Sequence, residues 1–178
     1  MSLQSWQETV YTMIGNGPTL TAAAEALMVP DFSIPASYMY PGRVLRATLF
    51  GKASNAVTTP GTVTLRCRWG GLAGTVLAAS AALTQNVAVQ TDKSWWLTFY
   101  IQCLTVGSTG TFITFGTAHR GNQAAAAVAD MTPDLIPAAS NAAVTVDTTT
   151  AKLLSFTAQP SLTTASWKCM QYVLEAMN

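Results

Sequence analysis

The segment TVTLRCRW, residues 62–69, places Val63, Leu65, Cys67 and Trp69 at every second position, with Thr62, Thr64, Arg66 and Arg68 between them. Successive side chains of a strand point to opposite faces, so the pattern predicts a strand with one buried and one wet face. A second segment constrains the fold further. Residues 95–106, WWLTFYIQCLTV, carry no charge and are interrupted only by Thr98, Gln102 and Thr105. Trp95, Leu97, Phe99, Ile101 and Cys103 suit a core, but the opposite face still shows Trp96, Tyr100, Leu104 and Val106. A free edge with that surface would template aggregation. The strand is therefore expected at the centre of a sheet, its second face covered by a loop, an arm or another subunit.

Further strands follow the same logic. RVLRATLFGKAS opens the regular part of the chain, and the turn Thr-Thr-Pro-Gly at 58–61 would join it to TVTLRCRW as a hairpin or connected pair. GTVLAAS at 74–80 comes next, and the turn at 107–110 folds the aromatic segment back onto TFITFGTAH as an antiparallel neighbour. Residues 119–143, rich in Ala, read as a long loop with one helical turn at 124–129. β character resumes in AVTVDTTTAKLLSFTAQ. It ends in SWKCMQYVLEAM, where even alternation sets Trp167, Cys169, Gln171 and Val173 opposite Lys168, Met170, Tyr172 and Leu174. About eight strands at regular spacing predict an all-β antiparallel sandwich over 43–178, a jelly roll being the most economical version.

Residues 1–42 differ. Pro18, Pro30, Pro35 and Pro41 forbid a long helix or a central strand. The reading is an extended N-terminal arm with short pairings and a helical turn at 22–28, either wrapped over a partner or folded onto its own domain as an edge strand.

Only 10% of the 178 residues are charged while 49% are hydrophobic. An ordinary soluble domain carries about 25% charge. A folded, self-associating chain fits this composition, and a disordered one does not. With a net charge of +1 and the basic residues scattered, no stripe tracks a phosphate backbone, so nucleic acid is not an expected partner. The opening residues lack the charged and apolar regions of a signal peptide, and no apolar run is long enough for a spanning helix. Cys67, Cys103 and Cys169 each fall in a strand-like run and read as buried thiols in a reducing compartment; one disulfide with a thiol left over is the other option.

Catalytic chemistry finds little support. His119 is the sole histidine, beside Arg120 and a glycine, and reads as a surface residue. No cluster has zinc-ligand spacing, and Asp130 and Asp134 read as turn or cap residues around Pro133. GNGPT at 15–19 lacks the Lys-Ser/Thr of a phosphate loop and reads as a turn. The chain is not expected to be an enzyme.

The order GRVLRATLFGKAS, GTVTLRCRWGG, TVLAAS, SWWLTFYIQCLTVGSTGTFITFGTA and AAVTVDTTTAKLLSFTAQPSLTTASWKCMQYVLEAMN resembles the jelly-roll cement or decoration proteins of tailed bacteriophages. It covers about three quarters of the chain. The resemblance implies a homotrimer on the outer surface of an icosahedral head, made in the host cytoplasm. Its partners would be copies of itself and the major capsid protein, with no cofactor, membrane or small-molecule substrate. In that reading Trp6, Tyr11, Met13, Tyr38 and Tyr40 of the arm are expected to anchor on the capsid, and Trp96, Tyr100 and Leu104 to lie at the subunit interface. A neck or tail structural protein and a trimeric receptor- or carbohydrate-binding module are the alternatives.

Overall fold

The computed structural model describes residues 7–56, 59–123, 133–138 and 141–177. Among these residues the chain forms strands only. In chain order they are β1 (Gln7–Thr12), β2 (Thr19–Leu20), β3 (Ala26–Leu27), β4 (Phe32–Ile34), β5 (Val44–Asn55), β6 (Thr62–Trp69) and β7 (Thr75–Ala79). There follow β8 (Leu83–Thr84), β9 (Gln90–Thr105), β10 (Gly110–Arg120), β11 (Asp134–Ile136), β12 (Val144–Val146), β13 (Lys152–Pro160) and β14 (Ala165–Met177). Two antiparallel sheets pack as a β-sandwich, the predicted class. The larger sheet runs β1-β14-β5-β9-β10-β11, with β2 also on β14 and β12 on β10. The smaller runs β3-β13-β6-β7, with β4 on β13 and β8 on β6.

In β6 the alternation is realised as expected: Val63, Leu65, Cys67 and Trp69 are buried and the residues between them are half-exposed. The expected pairing of β5 with β6 does not occur. Their connection crosses from the larger sheet to the smaller, because both strands carry an apolar face, Leu45 and Leu49 on one and Leu65 and Cys67 on the other, and both faces line the shared core. β9 lies between β5 and β10, the central position its sequence required, and β10 returns beside it as an antiparallel hairpin.

The even alternation expected along the last strand is broken. Cys169 pairs with Gly51 and Gln171 with Phe50, so Met170 is an extra residue at a bulge. Trp167 and Cys169 point inward before it, and Tyr172, Leu174 and Ala176 after it. The shift brings Tyr172 against Phe156 at 5.4 Å between ring centroids, and Phe156 in turn stacks on Phe99 at 5.5 Å. Trp95 meets Trp167 at 5.5 Å, and Trp69 meets Phe112 edge-on at 4.9 Å. Phe156 and Trp69 bridge from the smaller sheet to the larger, Trp95 and Trp167 pack together on the larger, and all of these rings fill the core.

Residues 7–34 fold onto their own domain. β1 and β2 extend the larger sheet beyond β14, then the chain crosses to the smaller sheet, where β3 and β4 extend it beyond β13. No helical turn forms at 22–28. There the Met28 N–H donates to the Phe156 carbonyl at 2.9 Å, and β3 pairs with Thr157 and Ala158, so the backbone bonds outward to β13. Glu25 clamps the crossing: its carboxylate accepts from Arg68 at 2.6 and 2.8 Å and from the Thr157 hydroxyl at 2.6 Å. Ser155 likewise donates to Asp31. Thr157 and Ser155 are wholly buried, and these carboxylates satisfy them.

Cys67, Cys103 and Cys169 are all buried thiols with no disulfide. Burial pushes the Cys67 thiol far above its ordinary range and Cys169 up to about 11.

Candidate interaction surface

The outer face of the larger sheet is built by register. Phe50 on β5, Trp96 on β9 and His119 on β10 stand in one row across the strands. Two residues further along β9, Thr48, Thr98 and Thr117 form the next row, and Arg46, Tyr100 and Phe115 the one after it. Because all point away from the core, the aromatic members stay on the surface: Phe50 is 41% exposed, Tyr100 43% and Phe115 54%. Leu104 and Val106 continue the apolar surface toward the hairpin turn. Two charges on this face are paired, while Lys168 stands opposite Lys52 across β14 and β5. Arg46 forms an ion pair with Glu175 at 2.7 Å and Lys52 reaches Asp92 at 3.4 Å.

Trp96 is half-buried because the imidazole of His119 lies over it, with centroids 4.2 Å apart and rings inclined by only 17°. The histidine is thus part of an aromatic stack. Asp134, read from the sequence as a turn or cap, instead starts β11 and binds the buried Arg120 at 2.7 Å, while Arg120 also donates to the Thr84 carbonyl at 3.2 Å. Asp130 lies outside the described residues, as does the expected helical turn at 124–129. Among the described residues no group of three or more His, Cys, Asp or Glu side chains is placed to hold a metal ion.

The Arg120–Asp134 pair fixes β11 against β10, with Thr117 opposite Leu135 and Gly116 opposite Ile136. This seam leaves an apolar slot of about 340 Å³ on the outer face, walled by Tyr100, Phe115, Leu135, Ile136 and Pro137. Gly116 and Thr117 lie at its floor side, and Asn141 closes one end, held by its amide donating to the Thr114 carbonyl at 2.9 Å.

The residues expected as capsid anchors are dispersed. Trp6 lies outside the described residues. Tyr11 packs between Phe32 at 5.3 Å and Tyr172 at 5.5 Å, and Met13 is buried, so both are used by their own core. Tyr38 and Tyr40 flank Arg43, whose guanidinium lies 3.9 Å from the first ring and 4.9 Å from the second, and Tyr40 keeps substantial exposed surface. By contrast Trp96, Tyr100 and Leu104, expected at the subunit interface, do share one outer face.

Phe50, Phe115, Leu135 and Ile14 were not singled out by the sequence. For Phe115 a signal existed. It lies three residues from Phe112, so one strand must turn the two rings to opposite faces, and Phe112 is the buried one. No protein-family model matches the chain, and no curated protein matches it in sequence.

Proposed function

We propose that the chain is a virion structural protein, a cement or decoration protein that binds the outer surface of an icosahedral phage head and stabilises it. The observation that carries this reading is the outer face of the larger sheet, where Phe50, Tyr100 and Phe115 stand exposed on regular strands and the neighbouring Arg46 is ion-paired to Glu175. Surfaces of this kind mark contact with other protein. The low charge and the resemblance of the strand order to decoration proteins support the same reading. The partners are copies of the chain, as a homotrimer, and the major capsid protein. Such a protein acts by mass action: it binds the assembled lattice in preference to free subunits and shifts the equilibrium against disassembly. Several weak contacts made together supply avidity.

The test is co-sedimentation of the purified chain with heads of the phage that encodes it, stripped of surface proteins. Saturable binding at a fixed copy number, with heads that survive a heat step fatal to stripped ones, is the expected result. Heads that sediment without the chain overturn the reading. The exposed rings also favour a second function, stacking on sugar rings in a receptor- or carbohydrate-binding module. Glycan binding lost in Tyr100→Ala would favour that alternative.

A further inference from the structure

The geometry points to a head-to-tail contact between copies of this chain in which Ile14 of one copy enters the apolar slot beside β11 of the next. The inference rests on the reading that the chain self-associates, and supplies the contact that makes the assembly.

Ile14 is 99% exposed, at the turn that follows β1. An isoleucine held fully in water is an anomaly only when the backbone keeps it there, and here it does. The Met13 N–H donates to the Tyr172 carbonyl and the Gly17 N–H to the Cys169 carbonyl, both at 2.9 Å, so the turn is pinned to β14 on either side of its tip. Gly15 takes φ of +86°, which lets the chain turn sharply directly after Ile14. The result is a rigid apolar knob.

The slot is its complement in chemistry and size. Its walls are aromatic or aliphatic, with Leu135 68% exposed, and a volume of about 340 Å³ readily admits a branched aliphatic side chain. Knob and slot lie at opposite edges of one sheet, β1 beside β14 and β11 beside β10, with β5 and β9 between. Four to five strand spacings put them roughly 20 Å apart, so a chain cannot fill its own slot. Their heights nearly agree. Ile14 lies near the level of Gln171, which pairs with Phe50 in the row of Trp96 and His119, and the slot is centred two or three residues along β10 at Gly116 and Thr117. A neighbour displaced across the sheet with a modest tilt therefore seats one in the other.

Two different patches meet in such a contact, so it is heterologous and propagates until rotation closes a ring. Counting ~200 Å² for each side chain when fully exposed, Tyr100, Phe115 and Leu135 present roughly 300 Å² of accessible surface to the knob side. With the usual share of polar rim this gives about 500 Å² per partner, below the ~800 Å² of a standard stable interface. A single contact is expected to be populated only at high micromolar concentration, and closure of the ring makes the assembly hold at lower ones.

The test is mass by light scattering after size exclusion, from low to high micromolar concentration, with far-UV circular dichroism as the check on folding. The wild-type mass is expected to rise to one closed multiple. Ile14→Asp and Leu135→Asp alter exposed side chains and are each expected to stay at one chain with an unchanged spectrum. Mixed together they separate this contact from any face-to-face one. The first keeps a working slot and the second a working knob, so at the high-micromolar end of the range the mass of the mixture rises above one chain towards two and no further. A wild type that remains one chain, a variant that keeps the wild-type mass, or a mixture that stays at one chain overturns the proposal. Loss of capsid binding alone leaves it standing.

Discussion

Gly51 on β5 lies under the indole of Trp95: a Cβ built on the glycine would come within 2.3 Å of the ring carbon Cζ2 and 2.1 Å of the Lys168 carbonyl oxygen. The close approach lets Trp95 lie flat against its neighbouring strand and reach Trp167. Neither a backbone carbonyl nor a ring packed on another ring can yield cheaply. Gly51→Ala is therefore expected to destabilise the fold by about 1 to 3 kcal/mol, the ordinary cost of overpacking a core. Urea unfolding followed by tryptophan fluorescence measures it; an unchanged midpoint would show that the strands separate more easily than this packing implies.

Glu25 ties the crossing segment to the smaller sheet, and its titration gives the clamp a pH signature. Burial alone would raise its pKa, but the hydrogen bonds from Arg68 and Thr157 and the charges of Arg66 and Arg68 outweigh it, and the net shift is below the ordinary 4.5. A depressed carboxylate stabilises the fold fully above its unfolded pKa and loses that contribution as the pH falls through the folded value. Stability is expected to hold from neutral pH to about 5 and to decline below 4.5. Glu25→Gln should flatten the decline, at a cost of about 2 kcal/mol at neutral pH from the charge-assisted bonds it weakens. A variant as acid-sensitive as the wild type would assign the decline to other carboxylates.

The sandwich was legible wherever a strand contrasts its two faces. In β6, Thr and Arg alternate with Val, Leu, Cys and Trp, and nothing else fits such a pattern; β9 was forced to the centre by its stretch from Trp95 onward, which has no charged face. The parity of β14 was not legible, because Met170 carries no mark of the bulge it occupies. Only the partner strand reveals it, since Gly51 and Phe50 are consecutive whereas Cys169 and Gln171 are not. β11 is three residues long within an Ala- and Pro-rich stretch, too short for any period, and without it the slot has no outer wall. Ile14 sat in plain view in an apolar run, but whether the run faced a core or water depended on where β1 paired.

The three thiols provide an independent check on the core. With Cys67 and Cys169 buried and their pKa values raised, little thiolate forms at pH 8 in the folded chain. A disulfide-exchange reagent such as Ellman's is expected to titrate all three thiols within minutes in denaturant, and to react at least tenfold more slowly with the native protein. Fast native reaction at Cys169 would mean that β14 opens near its bulge.

Residues 7–20 act as part of the sandwich, which changes what their removal does. Tyr11 fills the space beside Phe32 and Tyr172, Met13 and Leu20 are buried, and β1 and β2 cover the edge of β14. Losing three such side chains costs on the order of 5 kcal/mol at about 1.5 to 3 kcal/mol each, comparable to the whole stability of a typical domain. It also bares a long edge strand with an apolar face, a template for intermolecular pairing. Deleting residues 1–20 is therefore expected to give an aggregating chain. Tyr11→Ala is the milder test, with an expected loss of about 2 kcal/mol in urea unfolding, while Tyr40→Ala, at an exposed ring, should cost less than about 0.5 kcal/mol. A soluble, fully stable deletion variant would mean that β3 to β14 hold the sandwich without their N-terminal cover.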